Sequence, residues 1–460
     1  MAIPWNCEIT TIADASRLNP TPVFRHWIVR ECEETTFIGQ LRSELKEAAA
    51  VRRPFAVAGA RHSMGGQSIP RDGTALTLET QRCELNTDDM TYRVSAGTCW
   101  HHVIATLDAA GFSPTVMQGN TDFSVGGSFC VNAHGWAVPF GPLGSTVRNI
   151  RLMLADGTIV KCSRTENQEL FNLAMGGYGL FGIILDLELE MVPNCWLEAS
   201  QYVLATQEFA PNFVRTIEGG HSPHLAYGRL NVARRNFLGE AVMVDYKLSG
   251  SPAEPKLNRR GGMLQSGLSR AIYRAQTGSE IGKRIRWFAE TTIASHILPN
   301  KSLRNAILNM PVSTLASRDR NKTDILHEYF LPAECFSDFI VACKEIIPRH
   351  WQDCLNVTMR YVGADHESIL AYAPDLRVAA VMAFAQNMTA AAEGDMRVMT
   401  GALINRAIEL GGSFYLPYRL HAHRDQVRAA YGNTQYFIDR KHQYDPRLLF
   451  RNAMWHAYFN

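Results

Sequence analysis

The chain has 460 residues, 46% apolar and 20% charged, with 46 Lys or Arg against 44 Asp or Glu. That length suits two domains with a sizeable core, and the near-even charge argues against a general nucleic-acid binder. Ten cysteines, none in a C-x-x-C pair or at zinc spacing, point to reduced and mostly buried thiols, with no metal expected. The first residues lack a basic stretch followed by an apolar one, and no run approaches roughly 18 apolar residues. A cytoplasmic protein with neither signal peptide nor membrane span is therefore the expectation.

Residues 1–19 read as an extended lead-in that turns at Asn19-Pro20. Phe37, Leu41, Leu45 and Ala48 fall at helical spacing, so 34–51 should be a helix capped by Thr35 or Thr36. Strands are expected at 55–58, 75–78 and 92–96, then a helix over 100–110 stopped by Gly111. Asp156-Gly157 between 147–154 and 158–162 signals a hairpin. A helix over 167–175 and a long strand over 180–191, ended by Pro193, complete this half. Strands follow at 225–232, 241–248, 326–331, 355–362 and 378–384, with helices at 336–347 and 396–410. The second half thus suits an antiparallel sheet with flanking helices. Residues 256–306 carry ten basic side chains against Glu280 and Glu290. Such a segment is either a solvated helical hairpin or a contact for an anionic membrane surface or anionic substrate.

Three glycine-rich stretches carry the chemistry. The first, Pro54 to Gly66, runs P-F-A-V-A-G-A-R-H-S-M-G-G, a short apolar strand breaking at Gly59. Successive backbone N–H groups in such a turn can converge on a pyrophosphate. The second, Gln118 to Gly135, is Q-G-N-T-D-F-S-V-G-G-S-F-C-V-N-A-H-G, and its Gly126-Gly127 lets backbone approach a ligand. The third contains Gly177-Tyr178-Gly179-Leu180-Phe181-Gly182, which matches G-x-G-x-x-G. A dinucleotide fingerprint must follow a strand and open a helix. Here a helical pattern precedes it and a strand follows, which argues against that reading.

In this order, and with D-P-R-L-L-F-R-N at 445–452, the stretches resemble the FAD-binding domain of the vanillyl-alcohol oxidase and p-cresol methylhydroxylase superfamily. The likeness is nearest to alditol oxidases, aldonolactone oxidases and decaprenylphosphoryl-ribose oxidase. It implies an α+β chain with three parts. A two-subdomain FAD-binding domain would occupy 18–195. A substrate cap with an antiparallel sheet would occupy 196–435, and 436–460 would return to the FAD domain. It implies FAD contacts from Gly59, Ala60, Arg61, His62, Ser63 and Met64. Further contacts would come from Gln118, Thr121, Asp122, Ser124, Gly126 and Gly127, and from the corner Asn132-Ala133-His134-Gly135. Gly182, Ile183 and Asn452 complete the set.

His62 is the candidate for a covalent tether to the flavin, because relatives with G-x-x-H-S bond this histidine to the 8α-methyl carbon; a non-covalent loop histidine is the alternative. His134 is either a buried histidine satisfied by backbone or a redox participant. Cys130 reads as a small buried residue.

On the substrate side, Arg360 matches a strand arginine facing the flavin in alditol oxidases, whose acid two residues earlier is Thr358 here. Tyr418, Arg419 and His421 stand where relatives place a lysine, and are candidates for charge stabilisation or proton transfer. The adjacent polar residues Asp365, His366 and Glu367 read as surface. The expected activity is oxidation of a CH–OH group of a sugar, polyol, lactone or related alcohol, with electrons passed to oxygen or another acceptor. Peripheral membrane contact through the basic segment stays open. The alternatives are a reductase of the UDP-N-acetylenolpyruvylglucosamine type and an inactive flavin-fold partner docked through that segment.

Overall fold

A computed structural model describes residues 10–31, 33–220, 222–250, 273–293, 301–311 and 319–460. Much of the expected basic segment, including Lys256, Arg259, Arg260 and Arg270, lies outside those residues. Within the described part of the lead-in, Thr10–Ile12 pairs antiparallel with Thr21–Val23.

The first helix is Glu34–Ala50. Its cap is Glu33, whose carboxylate accepts from the backbone N–H of Thr35 and Thr36, so neither threonine caps it as expected. Placing an acid at the positive end of a helix dipole favours this choice. The helix buries Leu41, Leu45 and Ala48 beside a three-stranded parallel sheet in the order Arg25–Val29, Thr74–Leu78, Phe55–Ala58. All five residues of the central strand are buried, as a parallel strand covered on both faces requires.

An antiparallel sheet follows in the order Ile159–Ser163, Val147–Met153, Ile183–Pro193, Thr91–Ser95, Cys83–Asn86. The expected hairpin forms around Gly157, whose φ of 84° is the left-handed conformation that glycine tolerates best. The third glycine stretch leads from the helix Gln168–Ala174 into the strand Ile183–Pro193, an order opposite to the dinucleotide fingerprint.

The chain then enters an eight-stranded antiparallel sheet built from residues between Trp196 and Phe414. The strand Trp196–Ala205 and the helix Thr206–Glu218 come from a region where no element was anticipated. Period-two alternation splits the residues of this sheet. On Arg377–Asn387, Val378, Ala380, Met382 and Phe384 join a core with residues of the helices Thr206–Glu218, Phe336–Ile346 and Ala390–Glu409. Val381 and Ala383, on the other face, line a cavity.

The final stretch returns to the first domain. Phe55 bridges Phe450, and the Phe55 N–H donates to the Leu449 carbonyl at 2.8 Å. Lys441 Nζ is fully buried and donates to Asp445 Oδ2 and to the Leu180 carbonyl, each at 2.5 Å. Asp445 also receives the N–H groups of Leu449 and Phe450.

Asp365 departs from its expected surface place. It is buried and accepts from Asn132 Nδ2 at 2.9 Å and from Ser368. Glu367 pairs with Arg164 at 2.6 Å. Of the described basic residues of the segment, Lys283, Arg286 and Arg304 are buried and Arg274 is half-buried, whereas Arg284 and Lys301 are exposed. All eight described cysteines are free thiols. No described helix is long and apolar enough to cross a membrane, and among the described residues no His, Cys, Asp and Glu group could hold a metal ion.

Candidate functional site

A cavity of about 1700 Å³ lies between the glycine-rich loops and the open face of the eight-stranded sheet. A single ligand pocket is commonly ~300–1,000 Å³, so this space admits a large cofactor together with a second molecule.

The first loop lines it continuously from Gly59 to Met64. Here Gly59 is demanded by contact: a Cβ at that position would sit 1.9 Å from Ser124 Oγ. The two glycine-rich loops therefore cross with no room for a side chain between them. Gly126 is pinned likewise, its Cβ position being 2.6 Å from the Ala96 side chain. Arg61 has a φ of 54°, and its guanidinium contacts His26 Nε2 at 2.6 Å and Thr77 Oγ1. Its Nε is buried with no hydrogen-bond partner.

His62 stacks on Phe123, with ring centroids 4.0 Å apart, and its Nε2 donates to the Asp122 carbonyl at 3.2 Å. Donation to a carbonyl fixes the proton on Nε2, so Nδ1 keeps the lone pair. Burial pushes the imidazole below its ordinary pKa, which favours the neutral, nucleophilic form.

Gln118, Asp122, Ser124, Gly126, Gly127, Ala133, His134 and Gly182 also line the cavity. Five other expected contacts lie behind that wall, where they fix its shape. Thr121 is buried and donates its N–H to the Met310 carbonyl at 3.1 Å. Asn132 turns to Asp365 and accepts the Gly144 N–H at 2.9 Å. Gly135 lets the corner pass the Met117 carbonyl, 2.1 Å from where a Cβ would stand. Ile183 is buried in its strand, and its neighbour Ile184 faces the cavity instead. Asn452 Nδ2 donates to the carbonyls of Gln67 at 2.7 Å and Tyr178 at 3.1 Å, tying the first and third glycine stretches together. Cys130 lines the cavity, and burial pushes its thiol up to about 12, leaving it protonated.

On the cap side the structure assembles a cluster that includes a residue the sequence did not flag. Glu328 is buried on the strand Lys322–Leu331 and faces the cavity. Its Oε1 lies 2.5 Å from His134 Nε2, and its Oε2 accepts from the Tyr418 hydroxyl at 3.1 Å. Burial pushes its carboxyl up; His134, Arg360 and the Tyr418 hydroxyl outweigh burial and hold it below the usual range. Burial first, and then the Glu328 charge, push the Tyr418 hydroxyl well above 10.

Arg360 donates from Nη1 to the His134 carbonyl at 3.2 Å, and its Nη2 packs over Gly119, 2.9 Å from where a Cβ would be. The Nε of Arg360 and Nδ1 of His134 are buried without partners. The register explains how the cluster compensates for Thr358. Thr358 pairs with Val381, and Val381 with Glu328, so the missing acid reappears in the same row two strands away.

Arg419 and His421 lie outside the cavity lining, contrary to expectation. Arg419 turns to Asn19 at 2.6 Å, the Met64 carbonyl at 3.0 Å and Glu393 at 2.5 Å. His421 is buried between Thr400 at 3.2 Å and Glu393 at 2.9 Å. Their shared partner has a measurable consequence. Burial pushes the Glu393 carboxyl up, but hydrogen bonds from His421, Gln386 and Arg419 overcome it and bring it to about 2. A depressed carboxyl pKa stabilises the fold above the unfolded value and loses that contribution as pH falls towards 2. Glu393→Gln should therefore lower stability at pH 7 by up to about 3 kcal/mol and flatten the acid limb between pH 5 and 2. Unfolding midpoints measured across that range check this.

The crossed glycine loops, the tied-back third stretch and the unpartnered polar atoms define a site for a nucleotide cofactor facing a substrate chamber. Comparison with known proteins identifies the cofactor. Residues 36–163 match the model of the FAD binding domain family. Mouse L-gulonolactone oxidase is 26% identical over 181 residues, which cover 39% of this chain and 41% of that protein. Cytokinin dehydrogenase 8 from Oryza sativa subsp. indica is 33% identical over 172 residues, covering 33% of this chain and 32% of that one. An uncharacterised oxidoreductase of the fasciation locus of Rhodococcoides fascians is 26% identical over 155 residues, or 34% of this chain and 35% of its own length. The matches thus span about two fifths or less of these relatives. The chain carries an FAD-binding domain of the vanillyl-alcohol oxidase and p-cresol methylhydroxylase superfamily, and FAD is its cofactor.

The residues present fit FAD. The loop from Gly59 to Met64, the Ser124–Gly127 turn and the wall at Gly182 and Ile184 would hold it, with Arg61 supplying positive charge.

Proposed function

We propose that the protein is an FAD-dependent oxidoreductase that oxidises a CH–OH group of a sugar-like or related alcohol. Bound FAD would accept the hydride, and the protein would supply placement and proton transfer. The observation that carries this reading is the hydrogen bond from Tyr418 to a buried, ionised Glu328 on the cavity wall. Tyr418 Oη takes the proton of the substrate hydroxyl while passing its own to Glu328 Oε2. His134 holds the other carboxylate oxygen in place. Arg360 orients the hydroxyl oxygen and offsets negative charge beside the cofactor. Support for an alcohol comes from the acceptor pair itself, because removing a hydroxyl proton needs a poised base and hydride transfer alone does not.

His62 Nδ1 is the proposed point of attachment for a covalent flavin. Acid precipitation tests it: flavin should stay with the pellet of the unaltered protein and leave with the supernatant in His62→Ala. Release from both proteins would dismiss the tether. The activity is tested by adding alcohols to the yellow protein under anaerobic conditions. Bleaching of the oxidised flavin band by a polyol, lactone or sugar supports it; a protein that no alcohol bleaches would be the inactive flavin-fold alternative.

A further inference from the structure

The open sheet face carries a second polar centre that this reaction does not use. Arg229 pairs across the sheet with Thr358, Thr358 with Val381, and Val381 with Glu328. All four line the cavity. Three interstrand steps of about 4.8 Å place Arg229 about 14 Å from Glu328. Only the short side chains of Thr358 and Val381 stand between them in that row, so the cavity is open from one centre to the other.

Charge at the Arg229 end does not balance. Glu290 Oε1 receives Arg229 Nη1 at 2.6 Å and Arg286 Nε at 2.9 Å, so two guanidinium groups converge on one carboxylate oxygen. Arg286 also donates from Nη1 to the Leu355 carbonyl at 2.9 Å and from Nη2 to Asn356 Oδ1 at 2.8 Å, which fixes it against the sheet. Arg229 Nε is buried with no hydrogen-bond partner. The next cation along the wall, Arg274, is matched by Asp324 and leaves no spare acid. A surplus positive charge at a partly buried site is costly unless something pairs with it.

We infer that the Arg229–Arg286 end of the cavity binds an anionic group of the substrate, a phosphate or a carboxylate, about 14 Å from the hydroxyl that reacts. The substrate is then a hydroxyl compound long enough to bridge both centres. Tyr227 lies beneath Arg229 at 5.5 Å and stacks with Trp136 at 4.7 Å, giving the connecting part of such a molecule an aromatic floor. This assignment rests on the alcohol-oxidation reading of the same cavity.

The test is calorimetric titration of the FAD-loaded protein at low ionic strength, with inorganic phosphate in one arm and acetate in the other. Loading FAD first fills the cofactor's own phosphate-binding loop. One anion is expected to bind. Arg229→Gln should weaken it at least about tenfold, as loss of a charge-assisted hydrogen bond does. Arg229→Lys should retain most of the affinity, which separates lost charge from misfolding. Glu290→Gln should tighten binding severalfold, because it removes the competing carboxylate. Affinity that is unchanged in Arg229→Gln, or weaker in Glu290→Gln, overturns the site. The flavin supplies an independent reading. Bleaching by neutral and anionic alcohols alike, with the same KM in Arg229→Gln, also overturns the anion site but leaves alcohol oxidation standing. Failure of every alcohol to bleach the flavin removes the oxidation reading while the titration still reports the anion.

Discussion

Tyr418→Phe is expected to slow flavin reduction by about 10²–10⁴-fold, with the amount of bound FAD unchanged. The variant keeps the ring that packs against Tyr415 and removes only the oxygen that bonds Glu328. Rapid-mixing measurement of the oxidised flavin band under anaerobic conditions gives the rate directly. Glu328→Gln should fall in the same range, since an amide cannot receive the proton that Tyr418 gives up. Combining the two should cost little more than either alone, as residues acting in one transfer are non-additive. A Tyr418→Phe protein that reduces its flavin at the normal rate would move the proton transfer elsewhere on the wall.

Lys441→Met should lower stability by about 3–5 kcal/mol, because it strands a buried Asp445 without its cation. Asp445 holds the turn that brings Leu449 and Phe450 onto Phe55, so the first domain should loosen with the tail. Unfolding by denaturant, followed through tryptophan emission, measures the loss. Replacing both partners, Lys441→Met with Asp445→Leu, should recover much of it, since an apolar pair carries no stranded charge. Equal losses in the single and double variants would mean that the latch acts through packing alone.

Much of the FAD half was legible because its signals are local. A four-residue apolar strand that breaks at Gly59, an Asp-Gly hairpin and a helix stopped by Gly111 each depend on neighbours in sequence. The G-x-G-x-x-G stretch was separable from a dinucleotide site for the same reason: its flanking periodicities run in the wrong order. The cap side was harder. Glu328 stands in I-L-H-E-Y-F-L, an unremarkable apolar run, and its importance comes from a row shared with Val381 and Thr358, far away in sequence. A polar residue at an inward position of an apolar strand was the available signal. Tyr418, Arg419 and His421 form one group in the sequence because they are close together in it. The turn at 416–418 sends Tyr418 into the cavity, and Arg419 goes to Glu393 instead. The inward turn of Lys283 and Arg286 was hidden too, because each is matched by an acid or carbonyl of a distant strand.

Asn452 holds the Gln67 and Tyr178 carbonyls together from far along the chain. A growing polypeptide therefore cannot close its flavin cradle until that asparagine has been added, however early the glycine loops emerge. Cofactor capture consequently trails synthesis of the first glycine loop by the 385 positions that separate Gln67 from Asn452, and Asn452→Ala should yield colourless protein even with every loop intact.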